Sequence, residues 1–292
     1  MKRKKLQVVI NVFFILMVFL NMFPLMTMLS AAFSDNNDII REGYRLIPKT
    51  FSLDAFDYVL KDSRKIVNAY GISIAVTLCG VVFGMLFMAL LAYPMSRRDF
   101  TLRRGLMVYV VITMLFNGGL VPTYLMYVDY LHIKNTLWAL IIPRMLVSAF
   151  YVMIMRTFFQ NSIPGEIIEA AQIDGCSEYG IFFRIVMPLS LPVLATVGLM
   201  QTIGYWNDWY NGLIYLTDSR LFSIQNLLNR ILFDVQYLTN SPDVYAADMA
   251  VSLPTETARM AIVVLGTMPL LLAYPFFQKY LVSGLTLGSV KG

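Results

Sequence analysis

The chain has 292 residues, 58% of them hydrophobic and 14% charged, with a mean hydropathy of +0.65. A soluble domain carries about 25% charge, so two soluble domains are excluded in favour of one all-α membrane domain whose helices share a bundle. The net charge of +5 sits in clusters beside apolar runs rather than on one face, which fits positive-inside loops and argues against a nucleic-acid partner.

Roughly 20 apolar residues cross a hydrocarbon core as a helix, and lipid demands that each isolated span satisfy its own backbone groups. Six such runs are found, at roughly 7–33, 67–95, 105–128, 137–159, 189–216 and 257–281. The first follows Lys2, Arg3, Lys4 and Lys5 and continues to about Phe33. That is too long for the h-region of a signal peptide, so it reads as a retained transmembrane helix. A first outer segment, about 34–66, holds as many acidic residues as basic ones. Arg97, Arg98, Arg103 and Arg104 crowd the short loop after the second span. With the N-terminal cluster they place that loop and both termini, including Lys279 and Lys291, in the cytoplasm.

Within the second span, Gly80 and Gly84 form a GxxxG suited to packing another helix, in this chain or in a partner subunit. Cys79 and Cys176 are read as small packing residues; they share no metal spacing. In the third span, Asn117, Gly118, Gly119 and Pro122 break the apolar pattern. Asn117 stands about 12 residues from Gly105, or roughly 18 Å along a helix. It marks either an irregular cavity lining or a simple kink. Arg144, about seven residues inside the fourth span, needs a partner at that depth.

Between the fourth and fifth spans lies a segment of about 160–188, longer than a connector needs. Ser162 as N-cap and Pro164 in the first turn start a short helix; Asp174-Gly175 stops it, with Gly175 left-handed. Ser177 caps a second helix that Pro188 ends. Such a helix is either a lever facing the cytoplasm, with Glu166, Glu169, Ala170 and Ala171 on its face, or an amphipathic piece lying on lipid.

In the fifth span, Tyr205, Trp206, Asn207, Asp208, Trp209, Tyr210 and Asn211 combine aromatic faces that stack on sugars with groups that bond hydroxyls. Asp208 facing lipid would cost up to about 3 kcal/mol, so it faces the bundle or the outer interface. The segment is either a substrate wall or an interfacial aromatic belt. In the second outer segment, about 217–256, the stretch Leu221 to Phe233 has helical apolar spacing, with Pro242 and Pro254 beyond. Glu256 and Arg259 at i, i+3 can pair at the start of the last span.

The loop carries a further signal. Glu169-Ala170-Ala171, three residues, Gly175, nine residues, then Ile185-Val186-Met187-Pro188 resembles the EAA signature of ABC importer permeases. Every fixed position matches except a leucine, here Met187, a near-isosteric change. The wider resemblance, over about 67–285, is to carbohydrate permeases, leaving 1–66 as a first helix with its outer loop. Phe116 to Tyr124 resembles the complex-oligosaccharide subgroup, which includes lipoprotein-dependent and uronate-containing sugar systems.

The resemblance implies a six-helix permease of a bacterial cytoplasmic membrane, with a coupling helix docked on an ATPase. Glu169 would pair with that ATPase, Ala170 and Ala171 would allow close approach, and Asp174-Gly175 would make the turn. It implies a second homologous permease subunit, two ATPase copies that bind ATP and Mg, an extracytoplasmic solute-binding protein and a carbohydrate substrate. The chain itself has no phosphate-binding loop, because it has no Gly-Lys dipeptide. His132 is its single histidine, so a Ser-His pair or metal centre is not expected and no cofactor is assigned to it. The competing reading is an ion-coupled secondary transporter.

Overall fold

The computed structural model describes residues 2–143, 146–240 and 254–288. Two compact units are formed, Met1–Val67 with Leu227–Pro269, and Asn68–Asn226 with Leu270–Gly292.

In the first unit, α1 (Lys2–Ala32) carries the apolar run Val9–Ala32, long enough to cross a membrane. Asp35 caps α2 (Asn36–Glu42) by accepting from the N–H groups of Asn37 and Asp38. An isolated bridge pairs Ser34 with Phe51, and the Phe33 ring stacks on Phe51 at 5.7 Å. α3 (Asp54–Val59) brings Phe56 to 4.8 Å from the same ring. The segment that follows α1 is thus folded upon itself. Asn36 Oδ1 accepts from the N–H groups of Glu256 and Thr257 at 3.0 and 3.4 Å, which supplies partners to the first turn of the last helix. Glu256 also pairs with Arg259 at 2.9 Å, as the i, i+3 spacing predicts, and accepts from the Tyr44 hydroxyl at 3.0 Å.

The second unit contains most of α4 (Ser63–Ser96), then α5 (Arg103–Leu115), α6 (Leu120–Leu125), α7 (Trp138–Ile141) and α8 (Ala149–Ser162). α9 (Gly165–Ile173), α10 (Glu178–Ile181), α11 (Met187–Leu189), α12 (Leu191–Trp206) and α13 (Tyr210–Tyr215) follow. Its core packs Met88, Ala92 and Met95 of α4 against Met155 and Phe159 of α8, with Phe182 and Val197. α14 (Ile224–Asn240) and α15 (Thr255–Gly288) complete the chain. α14 realises the apolar spacing of Leu221 to Phe233, beginning three residues later.

Among the described residues, three helical stretches are long and apolar enough to span a membrane: Val9–Ala32, Asp54–Ser96 and Thr255–Pro275. Two further pairs qualify together but are bent, Arg103–Leu115 with Leu120–Tyr130 by 117° and Glu178–Leu189 with Leu191–Trp206 by 79°. The third run thus carries the break that Asn117 to Pro122 mark, while single helices for the fourth and fifth runs are corrected. The third breaks at Phe116, which is extended, and at Gly119, whose φ of +84° is open to glycine at no steric cost. The fourth is divided into α7 and α8, the break falling at Pro143, which offers no N–H to continue α7. The fifth is interrupted at 207–209.

Arg144, Pro242 and Lys291 lie outside the described residues, as do the side chains of Lys2 to Lys5 and Lys279. Cys79 and Cys176 are exposed rather than packed.

Candidate functional site

α9 is bounded differently from the sequence reading at one end and as expected at the other. Ser162 is the last residue of α8, and Pro164, extended at ψ 131°, stands in the N-cap position with Glu166 in the first turn. The apolar side chains of α8 hold its final turn in the core through Phe159, so the helix outruns the local Ser-Pro start signal. At the other end Gly175 takes φ +77°. Its N–H donates to Gln172 O at 3.0 Å and that of Cys176 to Ala171 O at 2.9 Å. These are the paired bonds of a Schellman stop, which satisfy carbonyls that a helix end leaves open. Ser177 Oγ then accepts from Gly180 N–H at 3.2 Å and caps α10.

Pro188 does not end the second helix. A wider turn at Phe182–Val186, closed by Met187 N–H on Phe182 O, precedes it and accommodates the missing donor. The direction changes at Ser190 instead, by 79°.

The face of α9 is sharply divided. Ile168 and Ala171 are buried in the core of the unit, Ala171 at 7% exposure. Ile167, Glu166, Glu169, Ala170, Asp174 and Gly175 are exposed, and Ile173 is 86% exposed. Ala171 therefore packs inward, where a larger side chain would push α9 off the core; the outward patch holds Ala170 beside Ile167 and Ile173. A cleft of about 630 Å³ separates this helix from the end of α4, lined by Arg97, Arg98, Asp99, Glu166 and Glu169.

Arg97 forms a fork with Asp99, Nε to Oδ1 at 2.8 Å and Nη2 to Oδ2 at 2.6 Å. The guanidinium holds the Asp99 carboxyl below its usual range.

The aromatic segment splits into structural and surface members. The Tyr205 side chain is 3% exposed, donates to Ile141 O at 2.9 Å and lies over Gly80. Trp206 is buried, with the Tyr70 ring 6.3 Å away. Asp208 Oδ1 accepts from Asn211 N–H at 3.1 Å and so caps α13 rather than standing on a helix face. Asn207 is exposed, Tyr210 half-buried, and Trp209 meets Tyr210 edge-on. Tyr205 and Trp206 lie in the last turn of α12 and Tyr210 begins α13, so the pairs Trp206–Tyr210 and Tyr205–Trp209, though four residues apart, do not share faces of one helix. Asn117 Oδ1 accepts from Gly119 N–H at 2.9 Å, a local turn on an exposed break.

Gly80 and Gly84 face α12 of the same chain, Gly84 packing on Gln201, so the GxxxG seam is internal and not a partner's. A cavity of about 240 Å³ gathers Ser148, Tyr151, Gln201, Gly204 and Tyr205. Of the aromatic segment it takes Tyr205; the other candidates do not line it. Gln201 in α12, an amide within an apolar run, is not singled out by the sequence pattern. Asn211 in α13, which the aromatic segment includes, donates through Nδ2 to Pro143 O at 3.3 Å.

The model of the binding-protein-dependent transport system inner membrane component family matches residues 1–287. The chain belongs to that family. It is 39% identical over 292 residues to the polygalacturonan/rhamnogalacturonan transport system permease protein YtcP of Bacillus subtilis, covering all of both chains. It is 29% identical over 299 residues to the arabinooligosaccharides transport system permease protein AraQ of Halalkalibacterium halodurans, again covering both. A crystal structure of a bacterial ABC transporter involved in import of the acidic polysaccharide alginate superposes with a TM-score of 0.79 and 25% identity, covering 95% of this chain and 96% of that one. The protein is thus a membrane-embedded transport permease.

Proposed function

We propose that this chain is one of two homologous membrane-spanning subunits of an ATP-driven importer, and that it carries an oligosaccharide containing uronic acid residues into the cell. The observation that carries the reading is the capped α9, held by its inward Ile168 and Ala171 so that Glu169 and the Ile167–Ala170–Ile173 patch face outward. Full-length likeness to the polygalacturonan/rhamnogalacturonan permease supports the substrate class. The loop docks on one of two ATPase copies, where ATP and Mg bind, and an extracytoplasmic binding protein delivers the sugar. Both termini are cytoplasmic. Closure of the ATPase pair moves α9, and the spans rock to expose the substrate path alternately to each side.

The test is uptake of an oligogalacturonan into proteoliposomes holding the complete complex. Uptake requires ATP inside and the binding protein outside, and survives collapse of the proton and sodium gradients. Uptake that persists without ATP and ceases with the gradients would establish an ion-coupled transporter instead.

A further inference from the structure

Glu178 stands at the first position of α10, and groups from two other elements converge on it. Its Oε2 accepts from the Tyr93 hydroxyl of α4 at 3.0 Å. Its Oε1 accepts from the Gln172 amide of α9 at 2.9 Å. Arg97 Nη2 lies 3.9 Å from Oε1, and Arg97 Nη1 donates to the Tyr93 hydroxyl at 3.3 Å. The Tyr93 ring packs 5.4 Å from Phe182, in the core. A pocket of about 470 Å³ opens beside these groups, so the polar bridge, rather than close packing alone, joins this part of α4 to α10.

Helix α4 is tied at its middle as well. Gly80 and Gly84 meet Tyr205 and Gln201 of α12, in the segment nearest the 240 Å³ cavity. One helix therefore touches the cavity wall at its centre and, 13 residues past Gly80, reaches the residue that holds the helix presenting Glu169.

We propose that Glu178 is the clamp that sets the angle of α9 against the end of α4, and that Tyr93 and Arg97 are positioning residues of the transport cycle acting through it. The inference rests on the importer reading. A displacement of α12 carries α4 through the glycine seam, and Tyr93 and Arg97 pass it to Glu178 and Gln172. Neither Tyr93 nor Glu178 touches substrate or ATP in this account. Their contribution to coupling is set by geometry.

The experiment uses the complete complex in proteoliposomes, with an oligogalacturonan as substrate. It reads three quantities: ATPase retained on purification, the ratio of substrate-stimulated to unstimulated hydrolysis, and sugar imported per ATP. Tyr93→Phe keeps the ring against Phe182 and removes only the hydroxyl; Glu178→Ala removes the clamp. Both are expected to retain the ATPase and unstimulated hydrolysis while the stimulation ratio and the sugar per ATP fall about fivefold or more, the size of a modest coupling between sites. Glu178→Gln, which keeps one acceptor oxygen, falls between wild type and Glu178→Ala. Wild-type ratios in assembled Tyr93→Phe and Glu178→Ala complexes would overturn the clamp while leaving the importer intact. If Glu178→Ala fails to assemble, Tyr93→Phe decides alone. Absence of any stimulation in the wild-type complex would instead overturn the importer reading, and the clamp with it.

Discussion

The ring of Tyr205 lies over Gly80 so closely that a Cβ at Gly80 would collide with Tyr205 Cζ. A tyrosine held this way, with its hydroxyl on Ile141 O, locks α12 to α4 and to the segment before Pro143. Gly80→Ala gains helix propensity of about 1 kcal/mol, yet it must displace a buried ring, and overpacking costs about 1–3 kcal/mol. The variant is expected to melt at a lower temperature in detergent. Adding Tyr205→Leu, which withdraws the ring, should make the pair less than additive; strict additivity would show that the two positions do not meet.

Gly175→Ala places a Cβ at φ +77°. Open space surrounds that position, so the cost is conformational, about 1–2 kcal/mol. The expected outcome is a loosened stop to α9, seen as faster amide exchange at position 175 and at Cys176 and reduced ATPase retention. Unchanged exchange would mean that the Schellman bonds survive.

Much of this architecture was legible from residues alone. The first, second and last spans are long apolar runs, and the structure has helices there. The stop at Gly175 and the cap at Ser177 obey local chemistry, so they too were readable. What was not readable depends on contacts distant in sequence. Ser162 looks like an N-cap until Phe159 is seen holding α8 in the core. Ala171 looks like a partner contact until it is seen buried with Ile168 in the core of its unit. The Tyr205–Tyr210 segment looks like a continuous helix because its aromatic spacing is helical. Asp208 breaks it by bonding the Asn211 N–H, a competition between side chain and backbone that periodicity does not report.

Asn135, at φ +55°, accepts from Thr217 N–H at 2.7 Å and Asp218 N–H at 3.2 Å and donates to Thr217 Oγ1 at 2.8 Å. It fastens the loop before α7 to the turn after α13. Asn135→Ala removes all three bonds, each worth about 0.5–1.5 kcal/mol net. Proteolysis within 216–220 is expected to accelerate in the variant; an unchanged rate would show that the turn is held by other contacts.

The Arg97–Asp99 fork gives a pH expectation. Its hydrogen bonds lower the Asp99 pKa from the ordinary 3.8. A carboxyl with a lowered folded pKa contributes stability that is fully present above its unfolded value and is lost as pH falls through the folded one. The melting-temperature gap between wild type and Asp99→Asn should therefore be constant between about pH 5 and 8 and close below pH 3.8. A gap that widens steadily from pH 5 to 8 would assign the dependence to another group.

The central claim is that the outward face of α9 receives the ATPase. Its most direct measurement is substrate-stimulated ATP hydrolysis by the purified complex with and without Glu169→Lys, together with the amount of ATPase that co-purifies. Glu169 is exposed, so the substitution spares the core. The account predicts that the ATPase is lost from the complex and that stimulated hydrolysis disappears. Full retention of both would contradict it.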